Sequence, residues 1–304
     1  MAQDAPEKVP VFERVVGMLP GLQDQLGLGQ FLGALALDHK PRVLYRFLVK
    51  KDLPIAELGH QVVLKVYGDG PRGEGPIQQL WRARGVNVPR LACGEEIGCS
   101  WLVMEYLDLH PVMSFPVDEL QLVDQLARMA KTMHRPAHGL APVLRPLDEV
   151  MVPRWKESVV ALGRSGLDIP STWLSRAVAG YTSAPAVPLH GDLAPANMGT
   201  RGGSLILFDA SALYGTSCFD AARWSARTGP GGTGPEALFR RWMSVEGLPT
   251  GRESWELLAA ECVLEAGSRE IIRSRAAQED PSLPHEEVAD GVPELLAVAS
   301  RLWS

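Results

Sequence analysis

Apolar and polar positions follow two different periods along the chain. The stretch 42–49, Arg-Val-Leu-Tyr-Arg-Phe-Leu-Val, is rich in β-branched and aromatic residues and predicts a strand, as does 61–67, Gln-Val-Val-Leu-Lys-Val-Tyr. Lys50, Lys51, Asp52 and Pro54 mark the connection between them, and Gly68, Gly70, Pro71 and Gly73 end the second. Ile77, Leu80, Trp81 and Arg84 recur at i, i+3, i+4 and i+7, one face of a helix. Pro76 fits its first turn, where a missing amide has no partner to lose. Further strands are expected at 88–91 and 99–107. Beyond Pro111 and Pro116 the period becomes helical: Leu120, Val123, Leu126, Ala127 and Ala130 form a stripe within 118–134. Segments 155–162, 174–181, 237–242 and 255–272 predict further helices. A β-like island at 187–209 interrupts them, and Gly229-Pro-Gly-Gly-Thr-Gly234 predicts a flexible loop. A strand-rich first third before a helix-rich remainder implies an α+β protein of two lobes, divided at 1–105 and 106–304, with a hinge near 105–116 and a ligand cleft between the lobes.

Composition narrows the function classes. The chain has 304 residues, 46% hydrophobic and 22% charged, as an ordinary globular protein does. A formal net charge of −6 and the lack of a basic run argue against a nucleic-acid partner. Cys93, Cys99, Cys218 and Cys262 form no Cys-x-x-Cys pair and are expected as free thiols, which suits a reducing cytoplasm. A polar start and the lack of a long apolar run predict no signal peptide and no membrane partner, hence a cytoplasmic protein.

The chemistry concentrates in Leu189-His-Gly-Asp-Leu-Ala-Pro-Ala-Asn197 and Leu205-Ile-Leu-Phe-Asp209. Arg201-Gly202-Gly203-Ser204 between them is a strong tight-turn signal. Folded as a hairpin, the segment brings Asn197 opposite Phe208 or Asp209, so an amide oxygen and a carboxylate converge on a hard-oxygen site suited to Mg²⁺. Asp192, five residues before Asn197, then fits a general base or hydroxyl-orienting group. Taken singly, Asp192 reads as a turn residue, Asn197 as a left-handed turn former and Asp209 as a helix cap. The joint spacing is what makes an accident improbable.

Residues 189–223 resemble the catalytic region of the aminoglycoside phosphotransferase and choline kinase-like superfamily, relatives of the protein kinases. The resemblance lies in His-Gly-Asp, an Asn five residues after the Asp, and an Asp closing an apolar strand. It implies a two-lobed protein-kinase-like fold, with an inserted β-hairpin in the helical lobe. It further implies Asp192 as the catalytic carboxylate, Asn197 and Asp209 as magnesium ligands, Asp220 as the residue tying down the catalytic loop, and His190 as a loop-ordering residue. Lys65, which alone reads as a lysine on a wet strand face, matches the lysine that binds the nucleotide phosphates, with Glu74 as its partner on the next helix. Strand 101–107 resembles the run into the interlobe hinge, so backbone groups at Glu105 to Leu107 would meet adenine and Met104 would pack nearby. This order covers roughly residues 42–225. Three departures stand out: no glycine-rich loop joins the first two predicted strands, Gly75-Pro76 directly follows Glu74, and Ala210-Ser211 follow Asp209 where relatives often carry Pro or an aromatic.

The implied reaction is transfer of the γ-phosphoryl group of ATP, or GTP, with Mg²⁺, to a hydroxyl of a small molecule. An antibiotic acceptor is favoured by analogy, with a metabolite kinase and a non-catalytic pseudokinase as alternatives. Residues 251–304 carry eleven Asp and Glu against five Arg, which suggests a cationic acceptor with Glu261 and Glu265 as its docking pair. Glu265 also stands four residues before Arg269, the spacing of an ordinary surface helix pair.

Overall fold

A computed structural model of the chain describes residues 9–36, 42–49, 57–67, 73–96, 99–111, 118–137, 139–140, 143–183, 185–279 and 291–304. The connection carrying Lys50, Lys51, Asp52 and Pro54, and the residues Gly68, Gly70 and Pro71, lie outside them. In chain order the first elements are α1 (Val9–Gln25), β1 (Leu28–Ala36), β2 (Arg42–Val49), β3 (Gln61–Tyr67), α2 (Glu74–Ala83), β4 (Leu91–Glu96), β5 (Cys99–Glu105) and β6 (His110–Pro111). Next come α3 (Glu119–Met133), β7 (Arg145–Pro146), α4 (Leu147–Arg164), α5 (Trp173–Tyr181), β8 (Ala186–Leu189), β9 (Met198–Arg201) and β10 (Ser204–Leu207). The last are β11 (Leu213–Thr216), α6 (Phe219–Thr228), α7 (Pro235–Glu246), α8 (Arg252–Glu279) and α9 (Val292–Trp303). Backbone contacts divide the chain into two compact units, Met1–His110 with Gly199–Asp209, and Pro111–Met198 with Ala210–Ser304.

The first unit is built on an antiparallel sheet in the order β1-β2-β3-β5-β4. β3 is its middle strand and is buried from Val62 to Tyr67. Alternation sends Val62, Leu64 and Val66 to one face, where they pack with Leu22 of α1, Leu26 in the turn after it, Leu28, Phe47, Leu58, Cys99 and Val103. The opposite face carries Val63 with Leu102 and Met104, and α2 lies against that side of β4 and β5. Register fixes Lys65 on that second face, opposite Leu102. β4 starts at Leu91 rather than at Val88 as expected, because Pro89 has no amide and the Arg90 amide is taken by the Glu105 side chain. The β9–β10 hairpin turns through Gly202 and Gly203, both with positive φ, as the turn signal predicts. Asn87 fastens the hairpin to this unit: its Nδ2 donates to the Leu205 carbonyl (2.7 Å) and its carbonyl accepts from the Leu207 amide (3.1 Å).

The second unit is helical around α8, which packs against α4, α5, α6 and α9. Leu257 to Leu264 are buried on every side, so no apolar stripe marks that stretch. Gly267 makes the closest approach of α8 to α4: a Cβ there would lie 2.3 Å from that of Ser158. The Ser158 hydroxyl donates to the Leu264 carbonyl (3.1 Å) and the Ser165 hydroxyl to Glu270 (2.7 Å), so the two helices run side by side in the same sense. A small sheet β7-β11-β8 supports the segment after β8, with Leu189 opposite Leu213. All four cysteines are unbridged, three of them buried. Among the described residues no helix is long and apolar enough to cross a membrane.

Candidate active site

Lys65 has no wet face: it is 1% exposed. Its ammonium lies 3.0 and 2.8 Å from the two carboxylate oxygens of Glu74. The Tyr67 hydroxyl and the Gln78 amide (3.1 Å) also donate to Glu74 and fix its rotamer. Glu74 is in the first turn of α2, and Gly75-Pro76 after it does not prevent the pairing. Gly75 promotes it, since a Cβ there would meet that of Cys93 at 2.5 Å, so only glycine lets α2 lie this close to β4. Burial, and after it the Glu74 charge, pushes the Tyr67 hydroxyl well above its ordinary range, which keeps it a donor.

Lys65 also forms an ion pair with Asp209 at the end of the hairpin. Asp209 has φ 57°, a left-handed conformation that a residue with a side chain adopts only when its surroundings impose it. One buried ammonium thus faces two carboxylates.

In the second unit the turn after β8 carries His190, Gly191 and Asp192. Gly191 has φ 78°, and a Cβ there would run into Leu213 at 2.7 Å, so this position requires glycine. Asp220, fully buried at the start of α6, accepts the His190 and Gly191 amides, each at 2.9 Å. Its Oδ2 also meets His134 Nε2 at 3.1 Å, and His134 Nδ1 lies 2.6 Å from Glu246. Burial alone would lower the His134 pKa, but the two carboxylates outweigh it and raise the ring to about 9. Burial, the largest influence on Asp220, raises its pKa, yet the His134 bond and charge, with the Gly191 amide, leave it below the usual carboxylate range. His190 is buried, and its Nδ1 accepts the Asp192 amide at 3.4 Å.

Asp192 is held from both sides. Asn197 Nδ2 donates to its carbonyl (2.7 Å) and to Oδ2 (3.2 Å), while Arg227 of α6 pairs with Oδ1 at 2.8 Å. Arg227 also donates to the Leu193 carbonyl at 3.1 Å. With its nitrogen turned to Asp192, Asn197 keeps its amide oxygen as a hard donor. Among the described residues no three His, Cys, Asp or Glu side chains gather as a metal cluster.

At the end of β5, Met104 packs with Val63 and Leu102. The Glu105 side chain is occupied by Arg90, whose Nε and Nη2 lie 3.0 and 2.9 Å from its Oε2. The Glu105 and Tyr106 amides bond the carbonyls of Arg90 (2.9 Å) and Gln61 (3.0 Å). Leu107 follows outside the strand, with no such amide bond among the described residues.

Glu261 and Glu265 are not a vacant acidic pair. Glu261 is 0% exposed, bonded by Arg223 (3.0 Å) and by the Tyr181 hydroxyl (2.8 Å). Glu265 takes Arg269 at 3.1 Å, the i,i+4 pair that its spacing also allowed, and lies 3.7 Å from Arg227. Sequence reasoning missed Arg227, Arg223, His134 and Glu246. A usable signal existed: Asp220, Arg223 and Arg227 stand at i, i+3 and i+7 on one face of α6.

Comparison with solved structures places this architecture. A spectinomycin phosphotransferase, solved with ADP and spectinomycin, superposes with a TM-score of 0.58 at 11% identity, over 95% of this chain and 98% of that one. The chain has the fold of the small-molecule phosphotransferases. An aminoglycoside-3′-phosphotransferase of type VIII gives 0.53 at 20% identity, covering 83% of this chain and 98% of that one. A choline/ethanolamine kinase family protein from Mesorhizobium loti gives 0.51 at 12% identity, over 97% and 95%. The superfamily resemblance carried by His190, Gly191, Asp192, Asn197 and Asp209 thus agrees with the fold of the whole chain. No sequence-family description matches the chain, and no curated protein matches it by sequence.

Proposed function

We propose that the protein is an ATP-dependent kinase of a small-molecule alcohol. The observation that carries this reading is the buried Lys65 paired with both Glu74 and Asp209, an ammonium positioned for phosphate oxygens. Asn197 and Asp209 are the proposed magnesium ligands, and magnesium, when bound, would neutralise charge on the transferred phosphoryl group. Lys65, oriented by Glu74, meets the α- and β-phosphates. The Leu107 amide is the adenine contact, with Met104 behind it. Glu105 contributes through its position in the strand, since its side chain and amide are spent on Arg90. ATP rather than GTP is the proposed donor, in keeping with the ADP bound by the spectinomycin enzyme.

Asp192 performs the acceptor chemistry. Its carboxylate orients the substrate hydroxyl and takes its proton as the acceptor oxygen bonds to the γ-phosphorus and the bond to the β–γ bridging oxygen breaks, leaving ADP. Arg227 and Asn197 fix the carboxylate in line, so most of the catalytic effect comes from positioning. Residues 1–105 form the proposed nucleotide-binding part and 106–304 the catalytic and acceptor-binding part. The antibiotic reading leans on the spectinomycin and aminoglycoside enzymes of this fold, and the choline/ethanolamine relative carries the metabolite alternative. A pseudokinase is disfavoured, because Lys65, Asp192, Asn197 and Asp209 are all retained. A cationic acceptor loses its support, because Glu261 and Glu265 are already paired.

The test is ADP release over a panel of hydroxylated compounds with ATP and Mg²⁺. Release should depend on the acceptor and should disappear in Lys65→Met and Asp209→Ala. Release that ignores the acceptor, or survives in both variants, would sink the reading.

A further inference from the structure

Arg154, in the second unit, has no ion pair among the described residues. It lies on α4 one turn before Ser158, whose hydroxyl reaches the Leu264 carbonyl on α8. One turn back along both helices therefore brings Arg154 level with Glu261. Its charge acts on Asp192, Glu261, Tyr181 and Arg223, so it belongs to the group that surrounds the proposed catalytic carboxylate.

The pairing within that group is complete without it. Arg223 holds Glu261, Arg227 holds Asp192 and leans on Glu265, and Arg269 holds Glu265. Four guanidinium groups thus face three carboxylates. Arg154 makes no hydrogen bond or ion pair with any described residue. It is half-buried and remains partly open to solvent. Burial, and then the Arg223 charge, holds the Arg154 guanidinium below its ordinary range against the pull of the Asp192 and Glu261 charges, so the group has lost hydration without a bonded partner among the described residues. A desolvated cation of this kind is completed by an anion, and the planar guanidinium fork matches the paired oxygens of a carboxylate or phosphate.

We propose that Arg154 is the acceptor-recognition residue and that the molecule phosphorylated beside Asp192 carries an anionic group, a carboxylate or a phosphate, which Arg154 binds. The proposal rests on the kinase reading of Asp192 but makes a separate claim about substrate class. It reverses the charge that the acidic C-terminal composition suggested, because Glu261 and Glu265 are paired with Arg223, Arg227 and Arg269, and in the described group around Asp192 the guanidiniums outnumber the carboxylates. An amine in place of the anion would meet like charge there.

The experiment uses the full chain with ADP and Mg²⁺ present and a matched set of hydroxylated probes bearing a carboxylate (sugar acids, hydroxy acids), a phosphate (sugar phosphates), an amine (amino sugars, amino alcohols) or no charge. Binding is measured by calorimetry for the wild type, Arg154→Lys and Arg154→Gln, each checked for an unchanged melting temperature. The expected result is that acids are retained over amines and neutral polyols. Arg154→Gln should weaken the retained acid about 10- to 100-fold and Arg154→Lys less, as for loss of a charge-assisted pair. The carboxylate and phosphate arms identify which oxyanion is taken. Retention of amines or polyols in preference, retention of no acid at all, or acid binding indifferent to Arg154→Gln would overturn the proposal. Transfer from γ-labelled ATP is scored on the same probes. An acid held through Arg154 but never phosphorylated supports the anion site while sinking the kinase reading. A phosphorylated amine or polyol indifferent to Arg154→Gln does the reverse.

Discussion

A methyl group on Gly75 would sit 2.5 Å from the Cβ of Cys93, so one side chain decides whether α2 can bring Glu74 to Lys65. Gly75→Ala should move α2 outward and loosen the Lys65–Glu74 pair, and Glu74→Gln should remove its charge directly. Either change is expected to raise KM for ATP about tenfold, the effect of losing roughly 1.4 kcal/mol from one charge-assisted contact. Steady-state kinetics checks this, and an unchanged KM in both variants would separate Lys65 from nucleotide binding. At this scale Lys65, Asp192, Asn197 and Asp209 stand out in the sequence because residue type, spacing and strand context coincide. The direction of Lys65 does not: a lysine flanked by valines reads equally as a wet-face residue, and only the register with Leu102 and the position of Glu74 decide it. Glu261 misled for a related reason. Its charge is visible in the sequence, but its partners, Arg223 and Tyr181, stand 38 and 80 residues away.

The turn after β8, which carries the proposed catalytic Asp192, depends on elements that packing, rather than local pattern, defines. Asp220 on α6 carries both turn amides, and His134 at the end of α3 links it to Glu246 on α7. Protonated His134 between two buried carboxylates has a folded pKa of about 9 against 6.5 for the free side chain. Its contribution to stability is thus fully present below about pH 6.5 and is withdrawn as pH rises through about 9. Thermal melts from neutral pH upward should show the wild type losing stability across that interval, with His134→Gln less stable at pH 7 and flatter above it. Equal slopes would mean that His134 is not the charged link. The long helices α3, α4 and α8 were legible in part from their spacing, as were β2, β3 and β5. α6 was not, since it is buried on every face and shows no stripe. α1 and β1 were obscured by Pro20 inside the helix and by Gly27, Gly29 and Gly33 at and within the strand. β11 spans only four residues, and its partners β8 and β7 come from other parts of the chain.

Across the whole molecule, the change from strand to helix near residue 110 is written in the periodicity, and the compact units divide there. The membership of residues 199–209 is not, because it depends on Asn87 gripping β10 across more than a hundred residues of chain. Net charge was legible as a total and misleading as a map, since Glu261 and Glu265 of the acidic C-terminal segment pair with arginines of α6 and α8. The most direct measurement is mass spectrometry of the acceptor after incubation with ATP and Mg²⁺, comparing the wild type with Asp192→Asn and with ATP binding measured for both. The expected result is an acceptor heavier by one phosphoryl group from the wild type, and an Asp192→Asn variant that still binds ATP but forms this product about 10²–10⁴ times more slowly. An Asp192→Asn variant that forms the product at the wild-type rate, or an acceptor left unmodified while ATP is consumed, would contradict the account.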